Sequence, residues 1–253
     1  MMDFKGKTVI VTGAGQGIGL EICRCLVESG ANVVLNDIDA QLAANAVRSL
    51  ESKAGKCIAF SGDSSDLEVI QNMVDKSVSE FGQLDIVIAN AGITLFGDFL
   101  TYSEDSFFKL VRTNLGGSFF LAQAAAKQMK DQGSGGTILL TSSVTAHQAH
   151  KNLAAYAMSK AALEMMAKNL VLELSPLNIN INTIAPGATL TERTLQDLDY
   201  AKVWQKLTPM GKPASVSDIA AAALFLVSDS AKHITGQSLI VDGGWTSVSP
   251  SPF

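Results

Sequence analysis

Seven short runs of aliphatic and β-branched residues punctuate the chain, and nearly every gap between them reads as a helix. The runs are KTVIVT (7–12), NVVLN (32–36), KCIAFS (56–61), LDIVIAN (84–90), GTILLTS (136–142), NINTIA (180–185) and SLIVDG (238–243). Several are apolar at every position. A strand with no polar face needs cover on both sides, the condition of a strand inside a parallel sheet wrapped by helices. Helical periodicity predicts segments at 17–29, 39–54, 66–81, 103–131, 155–174 and 217–228. This alternation predicts a single-domain, Rossmann-like α/β fold spanning residues 1–253: a doubly wound, seven-stranded parallel sheet with helices on both faces.

Composition supports one large core, with 47% of the 253 residues hydrophobic and 17% charged. No Pro/Ser-rich linker, fixed-period repeat or low-complexity segment divides the chain. The formal net charge is −5, and no basic stripe is present that would track a phosphate backbone, so nucleic acid is not expected as a partner. No uninterrupted apolar run is long enough to span a bilayer, so no membrane partner is expected. The opening MMDFKGKTVIVTG enters a strand pattern directly, without the regions of a secretory signal, which predicts a cytoplasmic protein. Cys23, Cys25 and Cys57 are odd in number. The neighbours of the C-x-C pair, Ile22, Arg24 and Leu26, offer no ligand, so neither a disulfide framework nor a metal site is expected.

The first strand runs into TGAGQGIG (12–19), followed by a helix pattern. Closely spaced glycines let the backbone turn tightly and let a pyrophosphate approach the helix N-terminus, where unpaired N–H groups and the positive end of the helix dipole lie. In the context strand–turn–helix this favours a dinucleotide site over a ligand-free βα turn. Asp37 closes the second strand, 18 residues beyond Gly19, the spacing at which a carboxylate meets an adenosine ribose. A carboxylate there accepts hydrogen bonds from ribose hydroxyls and repels a 2′-phosphate. No Arg or Lys lies in GAGQGIG or NDIDA, so NAD is expected over NADP. Asp39 is assigned the cap of the following helix.

The helix candidate 155–174 carries Tyr156 and Lys160, four residues apart and therefore on one face. Ser143 ends the fifth strand 13 residues before Tyr156. Together TGAGQGIG (12–19), Asp63, NAG (90–92), Asn114, Ser143, YAMSK (156–160) and PG (186–187) resemble, over essentially the whole chain, the short-chain dehydrogenase/reductase family. That resemblance implies an oxidoreductase moving a hydride between a nicotinamide cofactor and a secondary alcohol or carbonyl. The expected catalytic set is Asn114, Ser143, Tyr156 and Lys160. A free phenol titrates at about pH 10, so a Tyr acting as base near neutrality needs roughly 4 kcal/mol of differential stabilisation, which a neighbouring ammonium supplies. Ser143 would hydrogen-bond the substrate oxygen. By the resemblance, Lys160 also holds the nicotinamide ribose and Asn114 supports a water chain to solvent.

The resemblance carries a cofactor surface onto Gly13, Gly15, Gln16, Gly17, Ile18 and Gly19, then Asp37, Ile38, Asp63 and Ser64, then Asn90, Ala91 and Gly92. Tyr156, Lys160, Pro186 and Gly187 complete it. Thr191 is matched to the threonine that binds the carboxamide, with Thr189 its competitor. The sequence has ANAG where the family often has two asparagines, a small departure at Ala89.

For the substrate, the candidates are Ser143, Thr145, His147, His150 and Tyr156. The two histidines either hydrogen-bond a polyol or are exposed loop residues. Residues 187–215 follow the sixth strand and read as a substrate lid. Its Leu190, Leu195, Leu198, Trp204 and Leu207 either close over an apolar substrate or pack on the sheet. Asp37, and Leu177, Asn178 and Asn180 where 3-oxoacyl-carrier-protein reductases often carry Arg, favour a sugar or polyol dehydrogenase resembling glucose 1-dehydrogenase over such a reductase. A catalytically silent NAD-binding scaffold is the reading of another class; family members of that kind usually lose Ser, Tyr or Lys, all retained here. The family also implies a homotetramer, with Ala157, Ala161 and Ala162 allowing close helix contacts and the last strand joining subunits. The tail 247–253 is either loose or docked on a partner subunit.

Overall fold

The computed structural model describes residues 2–51 and 54–249. In chain order the elements are β1 (Thr8–Val11), α1 (Gly17–Glu28), β2 (Asn32–Asp37), α2 (Ala40–Ser49), β3 (Lys56–Ser61), α3 (Leu67–Phe81), β4 (Ile86–Ala89), α4 (Glu104–Val111) and α5 (Ser118–Gln132). They continue with β5 (Gly136–Thr141), α6 (Ala154–Leu174), β6 (Ile179–Pro186), β7 (Thr189–Leu190), α7 (Tyr200–Leu207), β8 (Ala214–Ser215), α8 (Val216–Val227) and β9 (Ser238–Val241). Seven strands form one parallel sheet in the order β3-β2-β1-β4-β5-β6-β9, and β7 pairs with β8 in a separate two-stranded ladder. The winding reverses between β1 and β4, which opens a crevice beyond their carboxyl ends.

The alternation of side chains along the strands builds two cores. Val9 and Val11 of β1 face one layer, packed with Ile22 and Leu26 of α1, Ala43 of α2 and Ile219 and Ala223 of α8. Ile10 faces the other, with Ile70 and Met73 of α3, Leu121 and Met129 of α5 and Leu163 of α6. All four β1 residues are buried, which is why its sequence lacks a polar alternation. Each such aliphatic side chain contributes about 1.5–3 kcal/mol by leaving water.

The seven sheet strands lie where the sequence places them, within a few residues at each end. Two helix assignments change. The stretch read as one helix over 103–131 is interrupted by a π-helical turn at Arg112–Gly117. The cause is Asn114, whose side chain is fastened to the main chain of Ile93: Oδ1 accepts the Ile93 N–H at 2.8 Å and Nδ2 donates to the Ile93 carbonyl at 3.0 Å. Such one-residue insertions widen the helix locally. The helix begun at 39 ends at Ser49, and residues 52–53 of that candidate lie outside the described set. The helix α7, inside the segment 187–215, is an addition to the sequence reading. Asp39 caps α2, accepting from the N–H groups of Gln41 and Leu42. Ser215 and Asp218 cap the N-terminus of α8 with reciprocal hydrogen bonds. Residues 250–253 of the tail lie outside the described set.

Candidate active site

The glycine turn is clamped to the neighbouring strand end before any ligand is considered. The Asn90 amide donates to the carbonyls of Thr12 and Gly13, both at 3.0 Å. Thr12 Oγ1 in return accepts the N–H groups of Asn90 and Ala91, each at 3.1 Å. This draws the backbones so close that a Cβ at Gly13 would stand 2.8 Å from the Ala91 Cα, and one at Gly19 2.6 Å from the Gly13 carbonyl oxygen. Gly13 also has φ of +60°, a region that penalises side chains. One Asp37 oxygen accepts the N–H of Gly15 at 2.9 Å, and its other oxygen accepts that of Asp39 at 3.1 Å. The carboxylate is thereby fixed at the end of β2, beside the turn. Asp63 Oδ1 is held by the N–H and hydroxyl of Ser65.

On the other side of the crevice, α6 presents Tyr156 and Lys160. Lys160 is 3% exposed. Its Nζ donates to the Thr141 carbonyl at 2.6 Å and sits 5.7 Å from the centroid of the Tyr156 ring. Burial pushes the Lys160 ammonium below its ordinary range, with the adjacent Tyr156 opposing. Ser143 lies at the end of β5, also buried, its Oγ accepting the Thr145 N–H at 3.2 Å. Asn114 is wholly buried, and besides Ile93 it donates to Ser159 on α6 at 3.2 Å. The Asn114 carbonyl accepts the Ser118 hydroxyl.

A single cavity of about 860 Å³ unites these groups. It is lined by Gly13, Gln16, Gly17, Ile18, Gly19, Asp37, Ile38, Asp63, Ser64, Asn90, Ala91 and Gly92 on one side, and by Ser143, Tyr156, Lys160, Pro186, Gly187, Thr189 and Thr191 on the other. Gly15 contributes its N–H to Asp37 rather than a wall, and Asn114 stands behind the loop it braces. Thr189 Oγ1 donates to the Gly187 carbonyl, whereas Thr191 bonds Thr194 within its own turn. Both line the cavity.

The remaining substrate candidates lie off this wall. Thr145 is buried, and its Oγ1 has no hydrogen-bond partner among the described residues. His147 Nε2 is 2.9 Å from Glu164 Oε1. His150 is half-buried among aromatic rings, 5.2 Å from Trp245 and 6.0 Å from Trp204 between centroids, and Trp204 also meets Trp245 edge-on at 5.3 Å. Desolvation pushes the His150 imidazole below its usual range.

The cavity also takes in residues that sequence reading passed over. Phe108, Lys109, Arg112 and Thr113 enter from α4 and the π turn, Thr94, Glu192 and Arg193 from the loops, and Tyr200 from the start of α7. The position of Thr113, one residue before Asn114, was a signal available in the sequence. Thr94 and Glu192 likewise flank the NAG and Thr191 positions, and the others come from segments with no motif.

The comparisons agree with this geometry. Residues 13–246 match a family model described as enoyl-(acyl carrier protein) reductase. The chain is 36% identical over 245 residues to an L-rhamnose 1-dehydrogenase (NAD(P)(+)) of Azotobacter vinelandii, covering 94% of this chain and 96% of that protein. It is 36% identical over 242 residues to 7alpha-hydroxysteroid dehydrogenase of Escherichia coli, covering 94% of each. Among solved structures, a 7 alpha-hydroxysteroid dehydrogenase complexed with NADH and 7-oxo glycochenodeoxycholic acid superposes with a TM-score of 0.91 at 34% identity, covering 96% of this chain and 95% of the other. A short-chain type dehydrogenase/reductase from Mycobacterium marinum superposes with a TM-score of 0.92 at 31% identity, covering 96% and 97%. With its sheet order, its clamped glycine turn and its Ser143, Tyr156 and Lys160 on one cavity, the chain belongs to the short-chain dehydrogenase/reductase family.

Proposed function

We propose that this chain oxidises the hydroxyl of a sugar or polyol, and reduces the corresponding carbonyl, with NAD as its preferred nicotinamide cofactor. The observation that carries the reading is the shared cavity: the glycine turn and Asp37 at one end, Ser143, Tyr156 and Lys160 at the other. The residues present fit a dinucleotide. The close approach at Gly13 and Gly19 leaves no room for side chains between turn and strand, and the α1 N-terminus follows directly. Gly13, Gln16, Gly17, Ile18 and Gly19 would hold the pyrophosphate, Asp37 and Ile38 the adenosine ribose, Asp63 and Ser64 the adenine. Asn90, Ala91, Gly92, Pro186, Gly187, and Thr191 or Thr189 would hold the nicotinamide half. When bound, the nicotinamide ring supplies the hydride acceptor.

The chain's own residues handle the proton. Ser143 donates a hydrogen bond to the substrate oxygen, and Tyr156 takes its proton as general base. Lys160, oriented by the Thr141 carbonyl, places a positive charge beside that phenol. Asn114 acts through the Ile93 loop and through Ser159, on the helix that carries Tyr156. NAD is favoured because the Asp37 carboxylate would confront a 2′-phosphate; Lys109 and Arg112, which line the same cavity, are the opposing observation.

A sugar is the first choice because the relatives include the L-rhamnose dehydrogenase. A second reading, an apolar secondary alcohol of the hydroxysteroid kind, draws on Phe96, Phe99 and Leu100 after β4 and Leu195 and Leu198 after β6, all exposed on loops at the carboxyl edge of the sheet. There the segment 187–215 acts as the lid. The test is NADH appearance with L-rhamnose, glucose, polyols and a bile acid, each repeated with NADP. Turnover confined to sugars and NAD supports the first reading, and turnover confined to the bile acid replaces it with the second. Cofactor binding without any turnover makes the chain a nicotinamide-binding scaffold.

For assembly we infer a homotetramer. Its support is apolar surface on α5 and α6: Phe119, Phe120, Met158, Met165 and Leu172 are exposed. Sedimentation as a monomer at micromolar concentration would refute it. No helix among the described residues is long and apolar enough to cross a membrane. All three cysteines are free, in keeping with a cytoplasmic location.

A further inference from the structure

Glu164 continues the stripe of α6 that carries Tyr156 and Lys160, each four residues after the last. Its Oε1 accepts two hydrogen bonds from the loop that holds Ser143. Ser142 Oγ donates to it at 2.6 Å, and His147 Nε2 lies 2.9 Å away. Ser142 Oγ also lies 3.1 Å from the Lys160 carbonyl, but its single proton serves the nearer, charged acceptor, Glu164, at 2.6 Å. Between the two anchor points runs only a tight 3₁₀ turn, Val144–Ala146.

We propose that Glu164 is a positioning residue for Ser143: one carboxylate oxygen fastens both ends of the 142–147 loop to α6 and sets the separation of Ser143 from Tyr156. This rests on the reading of Ser143 as the group that hydrogen-bonds the substrate oxygen. The alternative is an ordinary surface pair of His147 with Glu164, which would contribute little. Burial argues against it. Ser142 is 2% exposed and the Glu164 side chain 18% exposed, and a hydroxyl donating to a carboxylate at 2.6 Å is a charge-assisted bond of the stronger kind. Without the carboxylate, the Ser142 hydroxyl turns to the Lys160 carbonyl one helical turn earlier, and His147 loses its anchor on α6. A displacement of about 1 Å at a reacting group costs up to about a hundredfold in rate.

The experiment compares Glu164→Ala, Glu164→Gln, Ser143→Ala and the double variant Ser143→Ala/Glu164→Ala. It uses L-rhamnose at saturating NAD, or the panel compound with the highest turnover, and measures kcat and KM together with NADH affinity by fluorescence titration. Glu164→Ala is expected to lower kcat about tenfold, with NADH affinity within about twofold of the parent. Gln keeps an oxygen that accepts from both Ser142 and His147, so Glu164→Gln is expected within about threefold of the parent. Because Glu164 acts through Ser143, its removal is expected to add nothing in the Ser143→Ala background. An unchanged kcat in Glu164→Ala, or an equal fold loss with and without Ser143, overturns the proposal. Parent-level turnover in Ser143→Ala overturns the underlying role of Ser143, and the proposal with it. Should Glu164→Ala fail to fold, Ser142→Ala, which frees one end of the loop and leaves the His147 contact, takes its place with a smaller expected loss and the same non-additivity, and parent-level kcat there is equally fatal.

Discussion

Replacing Asn114 by Ala tests whether the π turn is built by its side chain. Asn114 is fully buried and makes three side-chain hydrogen bonds: from the Ile93 N–H, to the Ile93 carbonyl and to Ser159 Oγ. The Ala variant orphans two main-chain groups of Ile93, each worth about 1–3 kcal/mol if left dry. Ile93 itself is only half-buried, so water repairs part of the loss, and about 2 kcal/mol is the expected net cost. For a domain of this size that lowers Tm by roughly 4–8 °C. Asn114→Asp sharpens the test. One carboxylate oxygen can still accept the Ile93 N–H, but the other faces the Ile93 carbonyl oxygen where an amide donated. Asp should therefore stabilise no better than Ala despite being nearly isosteric with Asn. Urea denaturation gives the free-energy differences, with an unchanged m-value as the check that the same transition is compared. An Asn114→Ala protein melting within about 1 °C of the parent, or an Asp variant as stable as the parent, would refute the argument that these bonds hold the 93 loop to the helix.

Three further outcomes are expected. Tyr156→Phe should cut turnover at least about a hundredfold while NADH titrations still show binding; retained turnover would remove Tyr156 as the base. Asp37→Ala should narrow the ratio of kcat/KM for NAD over NADP, and an unchanged ratio would make Asp37 purely structural. His150 is half-buried with its imidazole pushed down by desolvation, so the unfolded chain binds its proton more readily. Its stabilising contribution is present above the ordinary imidazole range and is lost as pH falls through the lower folded value. His150→Phe should therefore lose less Tm between pH 7 and pH 5 than the parent; equal losses would show that His150 does not contribute.

What the sequence disclosed was whatever depends on near neighbours. Tyr156 and Lys160 share a stripe because helical spacing requires it, and the inner strands β1 and β4 announce themselves because burial on both faces leaves no room for polar alternation. What stayed hidden depends on contacts between distant residues. The π turn exists because Asn114 grips Ile93, 21 residues earlier, and nothing in RTNLGG alone signals a break. His147 was a candidate for the substrate until its partner was visible, a glutamate 17 residues ahead on another element. Lys109 and Arg112 reach the cavity from a helix whose pattern shows only ordinary amphipathicity. The helix α7 starts behind an N-cap aspartate, Asp199, but at eight residues it is too short for a helical period to stand out.

The aromatic cluster over His150 gives the protein an optical property. The chain has two tryptophans, and they touch: Trp204 on α7, within the segment after β6, and Trp245 on the turn after β9, with rings crossed at 80°. Intrinsic emission excited at the indole band therefore comes entirely from the junction between that segment and the C-terminal turn. Any swing of α7 changes the environment and the mutual quenching of both indoles at once. Stopped-flow fluorescence can follow the segment in the unlabelled protein, with no dye to perturb the helix being watched.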